Sequence, residues 1–208
     1  MCLEFGDFKT KSGRRTPWFF NSSALLADSG SLHDTARHCA ALVAPHQHRF
    51  DVLFGAAYKG IPLVTATAFC LFEKHQIRKP LAFNRKEAKR HGEGGQLMGG
   101  DVQGQRVLLI DDVLTTGAAL SGIVPLIEKS GGRVSEMLVL FDRQEVNLEG
   151  QASRSWLEKT HSIKIRALAC LQDVFDYCHL HDHNVLSQAQ LDILEAYREK
   201  YGSTGPPS

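Results

Sequence analysis

"VLLIDDVLTTGAAL", Val107 to Leu120, sets two adjacent acids directly after a run of four apolar residues and follows them with two threonines and a glycine. Val107 to Ile110 reads as a buried strand, and the small residues beyond it as a tight turn opening a helix. In open α/β folds ligands sit at that boundary. The amides of a helix N-terminus favour an anion, so Asp111 and Asp112 would oppose a ligand that was phosphate alone. They call for a second kind of partner. A carboxylate pair accepts hydrogen bonds from vicinal hydroxyls, while Thr115, Thr116 and the amides through Ala119 can wrap a phosphate monoester. A capped, solvated turn would explain one acid and the glycine, but not two acids beside so many hydroxyls.

Outward from this stretch the chain alternates strand and helix. "SLHDTARHCAALVAPH" carries Leu32, Ala36, Cys39, Ala40 and Val43 at helical spacing, "FDVLFGAAYKG" gives a short strand running into a glycine-bounded loop, and "IPLVTATAFCLFEKH" resumes as a helix. "KPLAFNRKE" reads as a strand leading into Ala88–Asp101, which has five glycines in fourteen residues and no apolar periodicity, and is expected to be a mobile loop. A helix from about Ala118 to Lys129 follows, then a Gly131-Gly132 stop, the strand "RVSEMLVLFD", and "IKIRALACL" with an acidic helix behind it. "QLDILEAYREKY" closes the chain as an amphipathic helix, and the tail 202–208 is expected to fray. The repeated order predicts an α/β fold, a central mainly parallel sheet flanked by helices, as a single domain over 1–208.

The 208 residues hold 24 Lys plus Arg against 23 Asp plus Glu, so a net charge of +1 gives no bulk attraction to nucleic acid or an anionic membrane. Anion binding must be local. Five scattered cysteines without a C-x-x-C pair argue against a disulfide framework and fit a reducing cytoplasm. No apolar run approaches a membrane span, and "MCLEFGDFKTKSGRR" has acids and lysines where a signal peptide needs an apolar core. "CHLHDH", Cys178 to His183, holds potential metal ligands, but alternate residues diverge on a helix and no second cluster matches it; a polar helix-end turn is the simpler reading.

The spacing of apolar strand, Asp-Asp, two residues, Thr-Thr-Gly resembles the phosphoribosyl-diphosphate (PRPP) signature of the type I phosphoribosyltransferases. "FKTKSGRRTPWFFN", "VLFGAAYKGIP", "FNRKEAKRHGEGG" and "FDRQE" at Phe141 to Glu145 resemble the orotate phosphoribosyltransferases in particular, in the family's order from residue 5 to 145. That family carries about one more helix ahead of "FGDFKTKSGR", whereas this sequence begins almost at the motif.

The resemblance implies a type I phosphoribosyltransferase fold with a small N-terminal hood over about 1–30, and transfer of phosphoribose from PRPP to orotate, giving orotidine 5'-monophosphate and pyrophosphate. It implies a PRPP site of Lys11, Tyr58, Lys59, Arg85, Lys86, Lys89 and His91 with Asp111, Asp112, Val113, Leu114, Thr115, Thr116, Gly117, Ala118 and Ala119. Phe19, Phe20, Thr115 and Arg143 would meet orotate; Arg85, Lys89, His91 and the two acids would be catalytic. Mg2+ would arrive mainly on PRPP, with no dedicated protein site. The family is a homodimer with shared sites, in which Arg85, Lys89 and His91 serve the neighbour and Lys59, Lys86 and Asp112 their own chain.

The chemistry of these residues agrees. Cations on a glycine-rich tether can close over a pyrophosphate and release it. A planar anionic ring wants apolar faces and a few polar edges, and an arginine fork suits a carboxylate or imide edge. A transferase for a purine would keep the PRPP turn without the Lys11-Ser12-Gly13-Arg14 and Phe19-Phe20 blocks. A PRPP-sensing, RNA-binding regulator would keep it without catalysis and would need a basic face, which the balanced charge disfavours.

Overall fold

The computed structural model describes residues 2–10, 12–85, 96–117, 120–180 and 185–203, with the backbone alone at Ser121. An antiparallel hairpin opens the chain, β1 (Leu3–Lys9) and β2 (Arg15–Phe20), paired from Leu3 with Phe20 to Lys9 with Arg15. Then follow α1 (Ser29–Val43), β3 (Val52–Gly55), α2 (Gly60–His75), β4 (Leu81–Asn84), β5 (Leu97–Gly99), β6 (Arg106–Leu114), α3 (Leu120–Lys129), β7 (Arg133–Asp142), α4 (Ser153–His161), β8 (Lys164–Cys170), α5 (Leu171–Leu180) and α6 (Gln188–Tyr201).

The main sheet has the order β5-β4-β3-β6-β7-β8, parallel except for the edge strand β5. Its central strands are apolar on both faces because both are covered. Leu53, Leu108, Ile110, Leu138 and Leu140 pack with α1, α2, α5, α6, Trp18 and Phe20. Val52, Phe54, Val107, Leu109 and Val139 pack with Leu120, Val124 and Ile127 of α3 and Leu157 of α4. The alternation follows from side chains leaving a strand on opposite faces.

Three expectations are corrected, and one helix stands where no element was expected. The Ala88–Asp101 segment is not loop throughout, since Leu97–Gly99 pairs antiparallel with β4 as β5; residues 88–95 lie outside the described residues. The decisive strand does not stop at Ile110. It runs through both acids to Leu114, because Asp111, Val113 and Leu114 continue the ladder to Val139, Phe141 and Asp142 of β7. The tail does not fray from Gly202: the Gly202 amide bonds Arg198 O and the Ser203 amide bonds Gln144 O at 2.7 Å, while 204–208 lie outside the described residues. The helix without a sequence expectation is α4.

Candidate active site

The carboxyl ends of β3, β6 and β7 converge under the hairpin, which is where an open parallel sheet places ligands. After β3 the loop Ala56–Lys59 turns sharply into α2. A Cβ on Gly55 would lie 2.3 Å from the Gly60 carbonyl oxygen, so only glycine lets the loop fold back this closely. Asn84 of β4, buried, accepts the Ala57 amide at 2.8 Å and fixes the loop from the neighbouring strand. Tyr58 stands 64% exposed, and Lys59 points inward.

Lys59 Nζ donates to Asp112 Oδ2 at 3.0 Å and to Ser22 Oγ at 2.7 Å, and Ser22 donates to the same Asp112 oxygen at 2.5 Å. Burial pushes the Asp112 carboxyl up. The hydrogen bonds from Ser22 and Lys59 and the lysine's charge outweigh it and hold the group below the ordinary carboxylate range, ionised at neutral pH.

Asp111 takes the other side of the strand. Its Oδ1 accepts the Asp112 amide at 2.9 Å, and with Val113, Leu114, Thr115, Gly117, Leu120 and Met137 it lines a shallow surface hollow. The two acids thus bracket the strand end, one on each side. Thr116 is buried and Thr115 half-buried. Gly117 has φ +83°, and a Cβ there would meet Leu157 Cδ1 at 2.7 Å, so the turn needs glycine twice over. Ala118 and Ala119 lie outside the described residues.

On the base side, strand alternation separates the two phenylalanines. Phe20 is buried and stacks on Phe141 with ring centroids 4.5 Å apart, whereas Phe19 is 37% exposed beside Phe8. Only Phe19 and the backbone face outward. Arg143 is buried beneath this face. Its side chain is 2% exposed; Nε donates to Glu145 Oε1 at 2.6 Å and a terminal nitrogen to Thr16 Oγ1 at 2.9 Å, and its carbon sits 3.7 Å from the Trp18 ring centroid. β2 places Thr16 and Trp18 on its inward face, which is why they, not solvent, meet the guanidinium.

Glu145 also accepts from Arg14 at 3.1 Å and from the Tyr197 hydroxyl at 3.1 Å, and Arg14 caps the carbonyls of Val146 and Asn147. Arg14 of the first block and Arg143 and Glu145 of the "FDRQE" block therefore meet in one cluster. Nearby, burial pushes the Asp142 carboxyl up, against the Gln144 amide and Arg154. Arg85 bonds Gln96 O through its amide at 2.7 Å, joining the two ends of the cationic segment; Lys86, Lys89 and His91 of that segment, and Lys11, lie outside the described residues. Sequence reasoning missed Ser22 and Asn84, which carry no local signature, and saw Glu145 only as part of a block.

A family model described as Phosphoribosyl transferase domain matches residues 26–160. Fold, acids and glycine turn together define a phosphoribosyltransferase. The orotate phosphoribosyltransferase of Stenotrophomonas maltophilia is 44% identical over 205 residues, covering 97% of this chain and 90% of that protein. That of Nitrosococcus oceani is 40% identical over 200 residues, covering 96% and 89%. A crystal structure of the Francisella tularensis orotate phosphoribosyltransferase matches with a TM-score of 0.79 at 33% identity, covering 97% of this chain and 95% of that one. The chain belongs to the orotate phosphoribosyltransferase family.

Proposed function

We propose that the family's transfer, PRPP plus orotate to orotidine 5'-monophosphate plus pyrophosphate in pyrimidine synthesis, is carried out here by the residues gathered at the ends of β3, β6 and β7. The observation that carries the reading is the Lys59–Ser22–Asp112 triangle set beside the Thr115-Thr116-Gly117 turn. Asp111 and Asp112 hold the ribose hydroxyls from either side, and the turn holds the 5-phosphate. Lys59, Tyr58 and the loop amides face the pyrophosphate, joined by Lys11, Arg85 and Lys86. Phe19 and the backbone beside it cover one face of orotate, and Arg143 sets the shape of that pocket from beneath.

The bond from the anomeric carbon to the pyrophosphate oxygen breaks as the orotate ring nitrogen bonds to that carbon. Cations on the leaving group and carboxylates beside the oxocarbenium-like centre stabilise the transition state, and no covalent nucleophile is required. The donor set fits Mg2+ brought in on PRPP: hydroxyls, amides and carboxylates already engaged with the protein's own groups leave most of its coordination to phosphate oxygens and water. When bound, Mg2+ supplies charge withdrawal from the departing pyrophosphate. Among the described residues no helix is long and apolar enough to cross a membrane, and the five free thiols suit a cytoplasmic enzyme.

Loss of orotate absorbance with PRPP and Mg2+ tests the reading. Orotate is expected to be consumed, activity to vanish with excess chelator and return with Mg2+ or Mn2+, and adenine or hypoxanthine not to be converted. Conversion of a purine instead, or full activity in excess chelator, would contradict it.

The site is shared between two subunits in this reading, with Arg85, Lys89 and His91 reaching the neighbour's PRPP. Lys89→Ala and Asp112→Asn are each expected to be nearly inactive. Unfolded, mixed equally and refolded together, they should recover about a quarter of wild-type activity, since half the dimers are mixed and one site in each is free of both changes. Recovery no greater than the mean of the two variants, with mixed dimers confirmed by tags, would leave the loop acting in its own chain.

A further inference from the structure

We propose that Ser22 is a positioning residue that ties the base-side hairpin to the ribose acid, holding Asp112 and Lys59 in the geometry that receives PRPP. The inference rests on the reading that Asp112 binds the ribose. Ser22 is fully buried and follows Phe19, Phe20 and Asn21 directly, so its hydroxyl leaves the chain where the base-facing strand ends. A hydroxyl has one proton and two lone pairs. Here the proton goes to Asp112 Oδ2 and a lone pair accepts Lys59 Nζ, so one atom is shared by an acid and a base that come from two other elements.

The short helical turn that carries Ser22 does not need this hydroxyl. Asn21 caps it through Ser23 N and is itself held by Glu4 and by the Cys2 carbonyl. The Ser22 bonds are thus directed at the site rather than at local structure. Without them the Asp112 carboxylate keeps, among the described residues, only Lys59 from outside its own strand. That lysine is also the group expected to turn toward pyrophosphate, so the carboxylate would lose its fixed orientation as PRPP arrives.

The test compares Ser22→Ala with Asn21→Ala, which loosens the same turn without touching Asp112. Ser22→Ala is expected to raise KM for PRPP, and the Kd for PRPP measured by titration calorimetry without orotate, about tenfold, the scale of one lost bond to a charged group. Its kcat should change far less, and Asn21→Ala should keep PRPP affinity near wild type. Ser22→Cys, similar in size with a weaker donor, should fall between, and carries the test if the alanine variant does not fold. PRPP affinity unchanged in Ser22→Ala, or lowered equally in Asn21→Ala, would overturn the proposal. If Asp112→Asn weakens PRPP binding and Ser22→Ala does not, the ribose site stands and only the role of Ser22 fails; if neither does, the ribose assignment itself fails.

Discussion

Glu145→Ala is expected to destabilise the fold by about 3–5 kcal/mol, the cost of removing one partner from a buried ion pair. Glu145 and Arg143 are each only 2% exposed and Arg14 8%, so the substitution leaves two guanidinium groups without their carboxylate in a site that water barely reaches. The rings of Trp18 and Tyr201 beside them, 3.7 and 4.6 Å from the guanidinium carbons, supply part of the compensation but no acceptor. Thermal unfolding is expected to fall on the order of 10 °C, given about 2–4 °C per kcal/mol for a chain of this size. Glu145→Gln, which keeps an acceptor oxygen and loses the charge, should lie between. An alanine variant with unaltered Tm would show that the cluster does not fasten the hairpin. Any loss of orotate affinity in a folded Glu145 variant would follow from the same cause, because Arg143, Arg14 and β2 are set by one carboxylate.

How far the sequence reveals this architecture depends on where each element's stabilising contacts lie. β6, β7, α1 and α2 were legible because their apolar patterns are matched by the layers that cover them. The β1–β2 hairpin was not: β1 alternates half-buried and exposed residues and gains its order from pairing and from Arg14, whose partner is 131 positions away. β5 has three residues and ends in glycine, too little for any periodicity to register. α4 is polar, with Ser153 and Leu157 as its buried residues, so its helicity comes from docking on the sheet.

In the site, the glycine turn and both acids stood out locally, but their division between two sides of β6 required the strand to be known to extend through them. Ser22 lies 90 positions from Asp112 and Asn84 lies 27 from Ala57; such bonds leave no mark on a linear pattern. Arg143 was legible as a cation and illegible as a buried one, because its partners Thr16 and Trp18 come from the other end of the chain.

Asp112→Asn carries the second large expectation. The change is nearly isosteric and keeps one acceptor oxygen for Lys59 and Ser22, so the fold should hold. What is lost is the charge that strengthens hydrogen bonds from the ribose hydroxyls and that pairs with Lys59 at 3.0 Å. Bonds to an ionised group contribute about 1.5 kcal/mol or more, so PRPP use should fall on the order of tenfold or more. Orotate makes no contact with this side chain in the proposed arrangement, and its own affinity should change little.

Binding of PRPP to wild type and Asp112→Asn, measured by titration calorimetry without orotate, tests the central claim most directly, because it separates the ribose contact from turnover and from the departure of pyrophosphate. The claim that the β6 acids hold the ribose predicts a Kd for PRPP raised about tenfold or more in the variant, with orotate binding unchanged. Equal PRPP affinity in the two proteins would contradict it.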